Sequence, residues 1–114
     1  MYKINLFYLK IFAKEYIFYC IEVEMTNSEK FITSSKIILN LKESPSNDEK
    51  LSLYKYFKQA TSGDVNTPKP GLFDIAGSEK WKAWSSVKGT SKEDAEKLYI
   101  DTVDALIKKY GIFD

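Results

Sequence analysis

The chain has 114 residues, 44% of them hydrophobic and 29% charged, a balance that suits a single globular domain and excludes wholesale disorder. Its net charge of +1 is too small to steer the whole protein toward nucleic acid or an anionic membrane, so any anion site must be local. The absence of His excludes His general acid–base catalysis and His metal sites, and because every cation is Lys, a phosphate here would meet ammonium point charges rather than guanidinium forks.

The first stretch, MYKINLFYLKIFAKEYIFYCIEVE, is dense in Ile, Phe and Tyr. Lys3, Lys10 and Lys14 would share one face of a helix, with apolar residues around most of the circumference. Lys10, Lys14 and Glu15 interrupt any run long enough for a signal peptide or a transmembrane span. Two readings stand side by side: an interfacial or partner-binding helix, or an optional extension ahead of a domain that begins at Met25. Residues 1–24 are therefore set apart as an extension of unknown role, and residues 25–114 as the domain. Cys20, the single cysteine, permits no intrachain disulfide and fits a reducing, cytoplasmic setting.

From Met25 onward the punctuation is helical. Thr26 to Glu29 has the spacing of a capping box, with Phe31, Ser35, Ile38 and Leu41 following at helical intervals until Pro45. Ser46 to Glu49 repeats that spacing and predicts a second helix to about Ser62, with Gly63 as a left-handed cap. A third helix is expected from Gly77 to Lys88, ended by Gly89. Thr90 to Glu93 offers another capping box, and Ala95, Leu98, Tyr99, Thr102, Val103, Leu106 and Tyr110 make a fourth helical stripe that Gly111 ends. No segment alternates with period two, so the fold class is all-α with four helices.

Between Gly63 and Ala76 the chain reads GDVNTPKPGLFDIA, long and irregular for a connection in a small domain. Its Val65, Leu72, Phe73 and Ile75 predict packing against the bundle, as a cover beside an opening. On the second helix Tyr54, Phe57 and Lys58 stand at i, i+3 and i+4 and share a face, while Lys55 and Tyr56 point elsewhere. Such a triplet can stack a planar ring and neutralise an anion at one spot; equally, the two rings can be core with Lys58 snorkelling past them. Lys80 offers a second cation and Tyr99 a second phenol, each on another helix. Trp81 and Trp84, three residues apart, fit a core role better than a ligand platform.

The strings YKYFKQATSGDVNTPKPG, GSEKWKAWSSVKGTSKEDAEKLYIDTV and KKYGI resemble the acyl-CoA-binding protein family over residues 28–112, nearly all of the chain after Met25. The resemblance implies an up-down-down-up bundle of four helices, a monomer without cofactor or catalysis. Its ligand would be medium- to long-chain acyl-CoA, carried as a cytoplasmic pool with transient contact to membranes or acyl-CoA-using enzymes. It assigns the nucleotide to Tyr54, the adenine to the ring of Phe57 (where many members have tyrosine), the ribose 3′-phosphate to Lys58, and further CoA contacts to Lys80 and Tyr99. Leu39 departs from the pattern, since many members have a ligand-contacting lysine there; Lys36 or Lys42, nearby, is the available substitute. Lys50 stands where methionine is common. An enzyme acting on acyl-CoA would need a positioned base or nucleophile, which a chain without His and with Asp64 and Asp74 in turns does not offer. A helical adaptor for a protein or membrane is the other alternative.

Overall fold

The computed structural model describes residues 26–113; the expected extension at residues 1–24 lies outside them. Helix α1 spans Asn27–Ile37 and runs into a short 3₁₀ turn, Ile38–Asn40. Its capping box forms as expected: Thr26 Oγ1 accepts from the Glu29 N–H at 3.2 Å, and Glu29 Oε2 accepts from the Thr26 N–H at 3.0 Å. Helix α2, Asn47–Ser62, starts with the same reciprocal pair between Ser46 and Glu49. Gly63 closes it at φ 80, but with ψ −152, an extended glycine-only conformation rather than the left-handed helical one expected.

Two boundaries differ from expectation, each for a local reason. Helix α3 covers Ile75–Ser85, because Asp74 accepts from the Gly77 N–H at 2.9 Å and caps the helix before the glycine. Gly77 is the third helical residue, and a Cβ there would meet the Asp74 carboxylate at 2.2–2.8 Å. Beyond Ser85 the backbone tightens into i→i−3 bonds, Val87 to Trp84 and Lys88 to Ser85, so the expected helix to Lys88 ends as turns. Helix α4, Lys92–Tyr110, is capped by Ser91, which accepts from the Asp94 N–H at 3.1 Å; the expected box at Thr90 and Glu93 is one residue early.

The side chains orient the helices. Asn40 O accepts from Phe113 N, and Lys42 N donates to Gly111 O, so the ends of α1 and α4 meet. Phe31, near the start of α1, touches Tyr99 in the first half of α4, and these two helices are therefore parallel. Glu49 at the start of α2 meets Lys109 and Tyr110 at the end of α4, so that pair is antiparallel. Tyr54 pairs with Lys80, and Lys58 with Trp84, which makes α2 and α3 parallel at a constant offset. The order is up-down-down-up.

That order explains the long connection. Parallel neighbours oblige the chain after Gly63 to travel back along the bundle before α3 can start. A helix of 11 residues is about 16 Å long at ~1.5 Å per residue, more than a tight turn spans. Of the expected apolar cover only Val65 is half-buried: Leu72 is 91% exposed, Phe73 99% and Ile75 74%. The connection is held by polar bonds instead, Trp81 Nε1 donating to Thr67 O at 2.8 Å and Trp84 Nε1 to Gly63 O at 2.9 Å.

The core forms where α4 meets α1 and α2. Phe31, Tyr99, Ile100 and Val103 are buried together, with Ile38, Leu53, Tyr56, Ala60 and Ile107 against them. Full burial of a Val, Ile or Phe side chain contributes about 1.5–3 kcal/mol, and the half-buried neighbours contribute less. Ala95, Tyr99, Val103 and Leu106 of the expected stripe are buried, whereas Leu98 is exposed and Ile100 takes an inward place.

Candidate functional site

Three residues of one α2 face, Tyr54, Phe57 and Lys58, look toward different neighbours, and this spreads the site across the bundle. Lys80 of α3 places its Nζ 5.7 Å from the centre of the Tyr54 ring. Lys58 returns the contact, its Nζ lying 4.7 Å from the Trp84 ring. Each helix thus supplies one ring and one cation four residues apart, and the two pairs clasp α2 to α3.

On the other side of α2, Phe57 stacks on Phe31 at 5.6 Å and leans on Tyr99 at 5.8 Å, while Phe31 and Tyr99 meet edge to face at 5.0 Å. Phe57 is still 38% exposed, so the ring is braced from below and available from outside. Tyr99 is buried, and burial raises its phenol pKa, which keeps the hydroxyl protonated and a donor near neutral pH. The five expected residues therefore form two groups that α2 joins: Tyr54, Lys58 and Lys80 toward α3, and Phe57 and Tyr99 toward α1 and the middle of α4. Phe31 and Trp84 supply the other rings of these contacts, and Trp84 is buried, as its expected core role requires. It follows Lys80 by four residues just as Lys58 follows Tyr54.

Leu39 is 82% exposed. Of the two lysines that could stand in for it, Lys42 lays its stem along Gly111 at the α4 end. Lys36 lies in the last turn of α1, and Lys50 is exposed in the first turns of α2.

The rest of the KQATSGD string is structural. Gln59, 1% exposed, donates through Nε2 to Asp64 Oδ1 at 2.8 Å and to Thr90 O at 2.7 Å, and the Gly89 N–H donates to the same Asp64 oxygen at 2.8 Å. These bonds, the Gly89 one foremost, hold the Asp64 carboxyl below its usual pKa. The network ties the end of α2 to the start of α4, and with the Trp84–Gly63 bond it fixes the ring under Lys58. Asp64 thus braces the turn after α2, and Asp74 caps the start of α3. Among the described residues no cluster of His, Cys, Asp and Glu could hold a metal ion, and no helix is long and apolar enough to cross a membrane.

The family model described as acyl CoA binding protein matches residues 28–103. The acyl-CoA-binding protein homolog 1 of Caenorhabditis elegans is 52% identical over 81 residues, which span 71% of this chain and 94% of that protein. The acyl-CoA-binding protein of Saccharomyces cerevisiae is 49% identical over 84 residues, 74% of this chain and 97% of the relative. In three dimensions the crystal structure of Oryza sativa acyl-CoA-binding protein 2 superposes with a TM-score of 0.71 at 39% identity, covering 74% of this chain and 93% of that one.

Proposed function

The chain belongs to the acyl-CoA-binding protein family, and from that premise we propose that it binds medium- to long-chain acyl-CoA esters and carries them as a cytoplasmic pool, without catalysis. The observation that supports this most directly is the surface around α2, which carries two ammoniums on its α3 side and an exposed, braced ring on its other side. Acyl-CoA joins a flat polyanionic headgroup to an apolar tail, and a binder needs cations and an aromatic plate for the first part.

In this reading Lys58 takes the ribose 3′-phosphate, Phe57 flanks the adenine, Tyr54 touches the nucleotide, and Lys80 and Tyr99 complete the CoA contacts. The energies are consistent. An exposed cation–ring contact is worth about 0.5–1 kcal/mol, whereas a charge-assisted bond to phosphate is worth about 1.5–3 kcal/mol. Phosphates therefore draw Lys58 and Lys80 off Trp84 and Tyr54 at a net gain. The tail adds up to ~0.8 kcal/mol for each methylene it buries. Residues 25–114 make up the binding domain and act as a monomer that meets membranes and acyl-CoA-using enzymes transiently.

Calorimetry with palmitoyl-CoA, free CoA and palmitate tests this. One-to-one binding of the thioester, tighter than either fragment, is expected. No heat at micromolar concentrations would overturn it in favour of a helical adaptor.

A further inference from the structure

The five most exposed large apolar side chains among the described residues are Phe73 at 99%, Leu72 at 91%, Leu39 at 82%, Ile75 at 74% and Phe113 at 62%. All five stand at the same end of the bundle. Leu39 and Phe113 are neighbours there, because Asn40 O accepts from the Phe113 N–H at 2.9 Å. Ile75 reaches that end through the constant offset between α2 and α3: Lys80 lies beside Tyr54 and Trp84 beside Lys58, which sets Ile75 level with Glu49. Glu49 in turn bonds Lys109 and Tyr110 at the end of α4. The opposite end is the polar network of Gln59, Asp64, Gly89 and Thr90.

We propose that this apolar end docks on a lipid surface, with Leu72 and Phe73 as the inserting tip. The occupant follows from exposure and charge. Side chains that are 91% and 99% exposed have almost nothing of the protein against them, so a partner must surround them from every side. The fluid interface of a bilayer does that without a preformed socket. The segment from Val65 to Phe73 carries Lys69 and no acidic residue, and the adjacent Asp74 is turned back to cap α3 through the Gly77 N–H. An apolar tip beside a cation suits an anionic interface.

The tip is also held in shape. Asp74 N donates to Gly71 O at 3.1 Å to close the turn, and Trp81 fixes Thr67 behind it, so Leu72 and Phe73 are presented without first being ordered. Lys80 follows Ile75 by five residues, about 7 Å along the helix axis. Docking therefore sets the cationic face close to the level of lipid headgroups, where an amphiphile can pass from one to the other. That last link rests on the acyl-CoA reading; the docking does not.

Flotation of the full chain with phosphatidylcholine–phosphatidylserine vesicles free of acyl-CoA tests the proposal. The unsubstituted protein is expected to float with the vesicles, and Leu72→Glu with Phe73→Glu to lower the bound fraction at least about tenfold. The double variant should keep its helical circular dichroism and its palmitoyl-CoA affinity, and a milder Leu72→Ser, Phe73→Ser pair should fall between. No flotation of the unsubstituted chain, or equal flotation of both, overturns the proposal. A concentration-dependent dimer in sedimentation velocity that the double variant dissolves would assign this end to a second copy and overturn it too. Loss of flotation with palmitoyl-CoA binding intact supports the docking, and failure to bind palmitoyl-CoA while flotation persists would count against the carrier reading alone.

Discussion

Lys58 is the residue on which the headgroup reading turns. Its ammonium rests on the Trp84 ring, and in the proposed reading a phosphate would displace that weak contact. Lys58→Ala is expected to weaken palmitoyl-CoA binding by about 1.5–3 kcal/mol in calorimetry, and to matter far less for the dephospho form that lacks the 3′-phosphate. Equal losses for the two ligands would remove Lys58 from that phosphate. Phe57 has a double load, since it touches Phe31 and Tyr99 on one side and is partly open on the other. Phe57→Tyr should be tolerated, because the open side admits a hydroxyl. Phe57→Ala should cost about 1–3 kcal/mol of binding, by analogy with base–aromatic stacking, and lower the melting temperature as well. If the alanine variant melts earlier yet binds normally, the ring is core alone.

Among the elements, α2 and α4 are joined at both ends by polar contacts that differ in character. At one end the buried Gln59 bonds the exposed Asp64; at the other, the half-buried Glu49 accepts from Tyr110, from Lys109 and from its own cap. The Tyr110 hydroxyl is the largest influence that lowers the Glu49 pKa from 4.5 to about 2. The carboxylate is therefore favoured in the fold, and its contribution to stability is fully present above the ordinary value. It fades as pH falls from 4.5 toward about 2. Glu49→Gln should flatten the stability-versus-pH curve across that window in urea titrations. An unchanged acid limb would show that the link carries no net stabilisation.

For the whole molecule, the question is whether the bundle stands without residues 1–24. A chain beginning at Met25 keeps Thr26 and every later cap, all four helices and each proposed ligand residue. It should unfold cooperatively and bind palmitoyl-CoA as tightly as the full chain. If the extension supplies the contact that Leu39 does not, truncation will weaken binding by tenfold or more, about 1.4 kcal/mol. Parallel titrations of the two chains separate these outcomes.

Helix number, helix type and the caps at Thr26 and Ser46 were legible in the sequence because a capping box is a bond between residues three apart, formed wherever that short stretch folds. The Tyr54, Phe57 and Lys58 face was legible for the same reason, and the residue strings around it carried the family. At the last helix the expected cap at Thr90 moved to Ser91, while the Thr90 carbonyl accepts from Gln59 of another helix. Which rings Lys58 and Lys80 lie upon was settled only by tertiary structure, since each ring comes from the neighbouring helix. So was the fate of Leu72, Phe73 and Ile75. Their apolar character favours burial, but parallel α2 and α3 stretch the connection along the bundle and leave its tip at the end, with no facing surface to bury it.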